Sequence, residues 1–123
     1  MDVGTSERLT IRHFTEGDHE FVITLLNDDA FLKNIGDKDV RTTSDAIDYL
    51  LNGPILSYKI HGFGLNIVCL KSNDLPIGMC GLLKRPDFQY ADLGYAFLPE
   101  YCGQGFAEEA STLVLENGHN SHH

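Results

Sequence analysis

The sequence predicts an α+β fold, a mixed, mostly antiparallel sheet flanked by helices in the order β-α-α-β-β-β-α. Three observations predict it. Apolar residues alternate in RLTIRHF near the start, and strand-type runs return three times between residues 63 and 98. Between these regions, and after them, the apolar spacing is helical. The chain has 123 residues, 42% of them hydrophobic, which suits one domain with its own core.

The elements follow in order. RLTIRHF sets Leu9, Ile11 and His13 on one face and Arg8, Thr10 and Arg12 on the other, a half-buried strand. TEGD offers Thr15 as a cap with Asp18 three residues on, like a capping box. Phe21, Val22, Leu25 and Leu26 then recur at helical spacing, which predicts a helix over 16–27. NDDAFLKNIGDKDV reads as an irregular connection with about one helical turn. Thr42 or Thr43 can cap a second helix with Ala46, Ile47, Leu50 and Leu51 on its apolar side. Gly53-Pro54 interrupts it, and PILSYKIHG reads as a further short helix with Pro54 in its first turn.

FGLNIVCLK, the turn SNDLP and IGMCGLLKR form an antiparallel hairpin. Gly78 and Gly81 in its second strand imply a bulge or a close backbone approach. PDFQ turns the chain again, YADLGYAFL is the third strand of this group, and Pro99 ends it. Residues 104–116 form the last helix, with Ala107, Ala110, Leu113 and Val114 on one side and Glu108, Glu109 and Glu116 near the other. NGHNSHH reads as a disordered tail, of natural or engineered origin. Its histidines could hold a metal, but a free tail seldom preorganises ligands, and no metal is expected.

There are 18 acidic and 9 basic residues, a net charge of −9. That argues against nucleic acid, which needs a basic face, and is compatible with a cationic substrate such as an amine. The cysteines are Cys69, Cys80 and Cys102, an odd number without disulfide or zinc spacing. Cys69 and Cys80 lie in apolar runs as buried thiols, which points to a reducing, cytoplasmic compartment. MDVGTSERLT has no apolar core for a signal peptide, and no apolar run approaches a membrane span.

YCGQGFAEEA places Gly103 and Gly105 just before the last helix. A helix N-terminus has unpartnered N–H groups and the positive end of a dipole, and glycines let an anion approach. Strand, glycine loop and helix suit a diphosphate, although a plain turn fits the spacing equally well. No Lys-Ser/Thr pair follows, so this is not a Walker loop. The GxGxxG pattern fails at Glu108.

Three segments in one order, ERLTIRHFTEGD, GFGLNIVCLKSNDLPIGMCGL and DLGYAFLPEYCGQGFAEEA, resemble the GNAT superfamily of N-acetyltransferases. The resemblance runs from Glu7 to about Leu115 and is nearest the branch of the ribosomal-protein-alanine N-acetyltransferases. It implies acetyl-CoA as acetyl donor. The family's pyrophosphate loop would fall on Cys102, Gly103, Gln104, Gly105, Phe106 and Ala107. Gly105 and Ala107 match its small positions, whereas Cys102 departs from the usual Gln or Arg. Glu108 and Glu109 should point away from a diphosphate.

The resemblance also implies that the third strand of the later group bulges and splays from the next one. Phe97 and Leu98 would then offer backbone groups to the pantetheine arm, one N–H polarising the thioester carbonyl. An amine attacks the thioester directly, and Asp92 is the candidate general base, acting through water. An Asp at a strand start facing solvent is an equally good reading of that residue. The family's usual acid, a tyrosine after the last helix, has no counterpart, since no tyrosine follows Tyr101. Tyr95 could replace it only if it faced the site, and its position favours core.

Phe31, Asn34, Ile35 and Asp37 would bound the acceptor amine. Related folds continue with a further strand and helix, so residues 1–116 read as a single, partial N-acetyltransferase domain, with 117–123 as the tail. An exposed edge beside LGYAFL would favour pairing with a second copy, a homodimer. Two function classes stay open. One is an N-acetyltransferase acting on a protein N-terminus, a polyamine, an aminoglycoside or another small amine. The other is a catalytically incomplete module that binds acetyl-CoA or dimerises.

Overall fold

The strands are β1 (Asp2–Thr5), β2 (Leu9–His13), β3 (Leu65–Leu70), β4 (Pro76–Lys84) and β5 (Ala91–Phe97). They form one sheet in the order β1-β2-β3-β4-β5, every neighbouring pair antiparallel. The helices are α1 (His19–Leu26), α2 (Asp29–Asn34), α3 (Thr43–Asn52), α4 (Pro54–His61) and α5 (Phe106–Ser121). This is a computed structural model that describes residues 2–84 and 91–121. The turn PDFQ, the start of the last strand at Tyr90, and His122 and His123 lie outside the described residues.

Local chemistry accounts for most helix boundaries. Asp18 accepts from the Thr15 N–H at 2.8 Å, completing the capping box. Its first turn is a 3₁₀ turn over Glu16–Asp18, so α1 proper is shorter than the predicted 16–27. Arg12 donates to both Asp18 oxygens at 2.9 Å, tying the end of β2 to this cap. Burial pushes the Asp18 carboxyl up, but the bonds from Arg12 and Thr15 outweigh it and hold it below the ordinary range. Thr42, not Thr43, caps α3, accepting from the Asp45 N–H at 3.1 Å while Asp45 accepts from the Thr42 N–H at 3.2 Å. Ala46 and Leu50 of α3 are fully buried, whereas Leu51 turns outward. A Cβ at Gly53 would lie 2.8 Å from the Tyr49 carbonyl oxygen, so only glycine fits between α3 and the Pro54 that opens α4.

β1 was not expected. It is four residues long and gains its place by pairing, Gly4 opposite Ile11 and Thr5 opposite Thr10. At Gly4 a Cβ would come within 3.2 Å of the Leu113 side chain, so α5 packs closely there.

Both readings of the β4 glycines hold. A Cβ at Gly81 would sit 2.0 Å from the Gly64 carbonyl oxygen, and one at Gly78 would sit 2.4 Å from the Phe97 ring. The register between β3 and β4 also slips, Val68 opposite Gly78 but Cys69 opposite Pro76. That bulge leaves Ile77 and Cys80 facing α5 while Met79 faces the other helices. The bulge implied for the third strand is therefore corrected: β5 pairs with β4 without a shift, from Lys84–Ala91 to Gly78–Phe97.

The sheet separates two cores. Phe14, Leu25, Leu26, Leu50, Ile67 and Met79 pack under α1–α3. Leu9, Ile11, Val68, Ile77, Phe106 and Val114 pack under α5. α5 begins two residues later than predicted and runs to Ser121, into the stretch expected as a disordered tail. The later start has a local cause, the left-handed backbone of the glycines before it.

Candidate active site

A single 3₁₀ turn, Pro99–Tyr101, ends β5 and leads into the loop. Gly103 and Gly105 have φ of 77° and 82°, the left-handed region that costs other residues about 1–2 kcal/mol. A Cβ at Gly103 would meet nothing within 4 Å, so the outer face of the loop is open. The first helical bond of α5 runs from the Glu109 N–H to the Gly105 carbonyl at 3.1 Å. The N–H groups of Phe106, Ala107 and Glu108 therefore lack partners among the described residues, at the positive end of a sixteen-residue helix. Such an end accepts an anion.

A cavity of about 290 Å³ adjoins the loop. Gly103, Gly105, Phe106, Ala107 and Cys102 form one wall, Phe97, Ala96 and Tyr95 of β5 the floor, and Phe31 and Asn34 of α2, with Ile35 just after it, the other wall. Residues predicted separately for donor and acceptor thus meet in one hollow. Gln104 lies outside it. Its side chain donates back to the Glu100 carbonyl at 2.7 Å. Asp37 is also outside, paired with Arg41 at 2.6 Å.

The two backbone candidates divide. Leu98 donates its N–H to the Ile77 carbonyl at 2.9 Å, and its side chain joins the α1–α3 core. By ladder alternation the N–H and carbonyl of Phe97 then face the open edge of β5. The Cys102 thiol lies 3.9 Å from that carbonyl. Asp92 is exposed, opposite Leu83, and does not line the cavity.

Tyr95 corrects an expectation. It is 53% exposed rather than core and lines the cavity. No strand lies beyond β5 among the described residues to cover it.

Arg8 carries a role that sequence reading missed. Its Nε donates to Glu109 at 2.7 Å and its Nη1 to the Gln104 carbonyl at 3.0 Å. Its guanidinium lies 4.2 Å from the centre of the Phe106 ring. The Ser6 hydroxyl and the Arg8 N–H donate to the other Glu109 oxygen at 2.6 and 2.9 Å. Burial would raise the Glu109 carboxyl, but these donors hold it below its ordinary value. Arg8 thus fixes the glycine loop from the far side. Glu108 and Glu109 line a separate hollow with Thr5, Ser6 and Arg8, turned away from the cavity.

A larger groove of about 760 Å³ adjoins the cavity, sharing Phe31, Ile35 and Tyr95 with it. It runs between α2, α3 and α4 and the strands β3–β5. Burial pushes the Tyr49 phenol in its wall up, so that hydroxyl stays protonated at neutral pH.

Fold and site are those of an α+β domain that presents a helix N-terminus and a cavity at one sheet edge. The family model described as an acetyltransferase (GNAT) domain matches residues 8–123, and the chain belongs to the GNAT acetyltransferases. Solved structures agree. A GNAT-family acetyltransferase from Bacillus anthracis is 26% identical with a TM-score of 0.75, over 98% of this chain and 68% of that one. An acetyltransferase from Agrobacterium tumefaciens is 19% identical with a TM-score of 0.74, over 92% of this chain and 64% of that one. A ribosomal L7/L12 alpha-N-protein acetyltransferase, RimL, solved in complex with coenzyme A, is 17% identical with a TM-score of 0.73, over 96% of this chain and 67% of that one. The chain thus spans about two thirds of the length of these structures. No curated protein matches the sequence. Among the described residues no helix is long and apolar enough to cross a membrane.

Proposed function

We propose that this chain is an acetyl-CoA-dependent N-acetyltransferase that acetylates a primary amine, with a protein N-terminal amine as the favoured acceptor. One observation carries the reading. The unpartnered N–H groups of Phe106 and Ala107, with the open face of Gly103, belong to residues that line the same cavity as Phe31 and Asn34. The residues fit the donor. Backbone N–H groups suit its diphosphate, and Phe97, Phe106 and Ala107 offer apolar walls to its arm.

Acetyl-CoA supplies an activated acyl carbon as a thioester. The outward Phe97 N–H is the donor for the thioester carbonyl. The amine nitrogen forms its bond to the acyl carbon as the carbon–sulfur bond breaks. The amine loses one proton and the departing thiolate gains one. An α-amine with a pKa near ~8 is already partly neutral at pH 7, which lightens the demand on a base. Asp92 is the candidate base. It stands five residues before Phe97, roughly 16 Å at ~3.3 Å per strand residue, so it serves through a chain of waters or an amine held part way along β5.

The α-amine named for RimL supports the protein acceptor. The free thiols Cys69 and Cys80, both buried, support a cytoplasmic setting. The open β5 edge supports a homodimer. Titration with acetyl-CoA should raise the melting temperature, and coenzyme A thiol should then accumulate only when a peptide amine is added. Absence of a thermal shift would sink the cofactor reading. A shift without thiol release on any amine would leave the binding module instead.

A further inference from the structure

We propose, on the basis of the acetyltransferase reading above, that Tyr49 sets the acceptor specificity: its hydroxyl donates to the carbonyl beside the reacting amine, and the apolar wall around it takes an apolar side chain of that first residue. The groove joins the loop cavity through Phe31, Ile35 and Tyr95. An acceptor can therefore hold its amine in the cavity and the rest of itself in the groove. In a peptide the amine, the first side chain and the first carbonyl all branch from one carbon. An amine at the shared wall brings the other two together just inside the groove.

The wall there is built on the core. Phe31 and Met79 are buried members of the cluster under α1–α3, and Leu65 and Tyr49 pack against that cluster while lining the groove. The Tyr49 ring is thus held by its neighbours. Its hydroxyl has no hydrogen-bond partner among the described residues, yet it is not sealed from solvent. The hydroxyls of α4 nearby are already engaged. Ser57 donates to the Phe63 carbonyl at 2.5 Å, and Tyr58 accepts from the Phe14 N–H at 2.9 Å and donates to the Leu65 carbonyl. A firmly held phenol with a free O–H on an apolar wall is a means of orienting one polar group of a ligand. Burial keeps this phenol protonated, so it remains a donor.

An O–H donor beside an apolar wall gives the class. A polyamine brings cations that would lose their hydration against Phe31, Leu65 and Met79, and it offers the phenol O–H no carbonyl. An aminoglycoside brings hydroxyls but no apolar side chain. A peptide that begins with an apolar residue brings both a carbonyl and a side chain to fill the wall.

The test uses small amines with acetyl-CoA and the full chain, read by release of coenzyme A thiol. Leucinamide and isoamylamine carry the same side chain, and only leucinamide has the carbonyl. The two ionise differently, so each is compared between parent and variant. Tyr49→Phe should raise the KM for leucinamide about fivefold with kcat unchanged, and leave isoamylamine unaffected. In the parent, glycinamide should show a KM roughly tenfold above that of leucinamide. An equal loss on both amines, a loss in kcat instead of KM, no loss at all, or glycinamide used as well as leucinamide would overturn the proposal. Binding is also read without chemistry. With the five tyrosine rings isotopically labelled, the Tyr49 signal is the one missing from Tyr49→Phe, and it should move with leucinamide but not with spermidine. A signal that stays still with leucinamide, or moves equally with spermidine, overturns the proposal. Turnover of leucinamide that ignores Tyr49→Phe sinks only the Tyr49 subsite, whereas a moving signal without thiol release sinks only the acetyltransferase reading.

Discussion

Two pairs of glycines in this chain are required for opposite reasons. Gly78 and Gly81 of β4 are glycines because there is no space, their absent Cβ atoms colliding with Phe97 and Gly64. Gly103 and Gly105 are glycines because of the sign of φ, and Gly103 has nothing within 4 Å where a side chain would stand. The first pair belongs to packing. In the second pair Gly103 leaves backbone uncovered at the head of α5, whereas a Cβ at Gly105 would lie 3.4 Å from the Arg8 guanidinium. A glycine-rich stretch therefore points to a site only when the space around it is open.

The contrast can be broken by substitution. Gly81→Ala should be the most damaging, about 3 kcal/mol, since the clash is with backbone that cannot rotate away. In thermal unfolding that is a fall of roughly 10 °C. A variant that melts like the parent would show that the β3–β4 approach is not tight. Gly103→Asn should behave in the reverse way. Asparagine tolerates a left-handed backbone, so melting should fall only slightly, whereas acetyl-CoA affinity should drop about tenfold as a side chain enters the open face. Unchanged affinity would remove the loop from the cofactor site.

Arg8→Ala tests how the open pair is held in place. The ion pair to Glu109 is partly exposed, so the stability loss should be about 1 kcal/mol. Acetyl-CoA binding should weaken about threefold through loss of loop position, and Arg8→Lys should not restore it, because only the planar guanidinium reaches Glu109, the Gln104 carbonyl and the Phe106 ring together. Full rescue by lysine would reduce Arg8 to a simple charge.

The smallest effect is a control remote from both glycine pairs. Asp18 has a lowered pKa in the folded chain, so the unfolded chain protonates first as pH falls. Its contribution is present above the ordinary carboxylate range near ~4 and is lost as pH drops through the folded value. Arg12→Ala should move acid unfolding to higher pH by roughly half a unit, read by circular dichroism. No movement would mean that the cap is not linked to stability.

Legibility followed the same division between local and distant causes. The Thr15–Asp18 capping box, a threonine cap for α3, the Gly53-Pro54 break, the β3–β4 hairpin and the start of the glycine loop were readable because each is decided within a few residues. β1 was not, since four residues with little periodicity become a strand only by pairing with β2. The outward turn of Leu51 and Tyr95 was not readable either, because spacing does not say which positions lack a neighbour. At the candidate site, the loop residues were legible as a pattern, whereas the Arg8–Glu109 contact joins residues 101 apart and leaves no local trace.

That same contact sets an order on biosynthesis. Arg8 leaves the ribosome early, yet its partners Gln104, Phe106 and Glu109 are translated only after nearly a hundred intervening residues. At ~5–20 residues per second the interval is roughly 5–20 s, long enough for β2, α1 and the β3–β4 hairpin to form first. The loop's final shape is therefore a late event of maturation, and a nascent chain halted before α5 would hold much of the sheet with no place for a diphosphate.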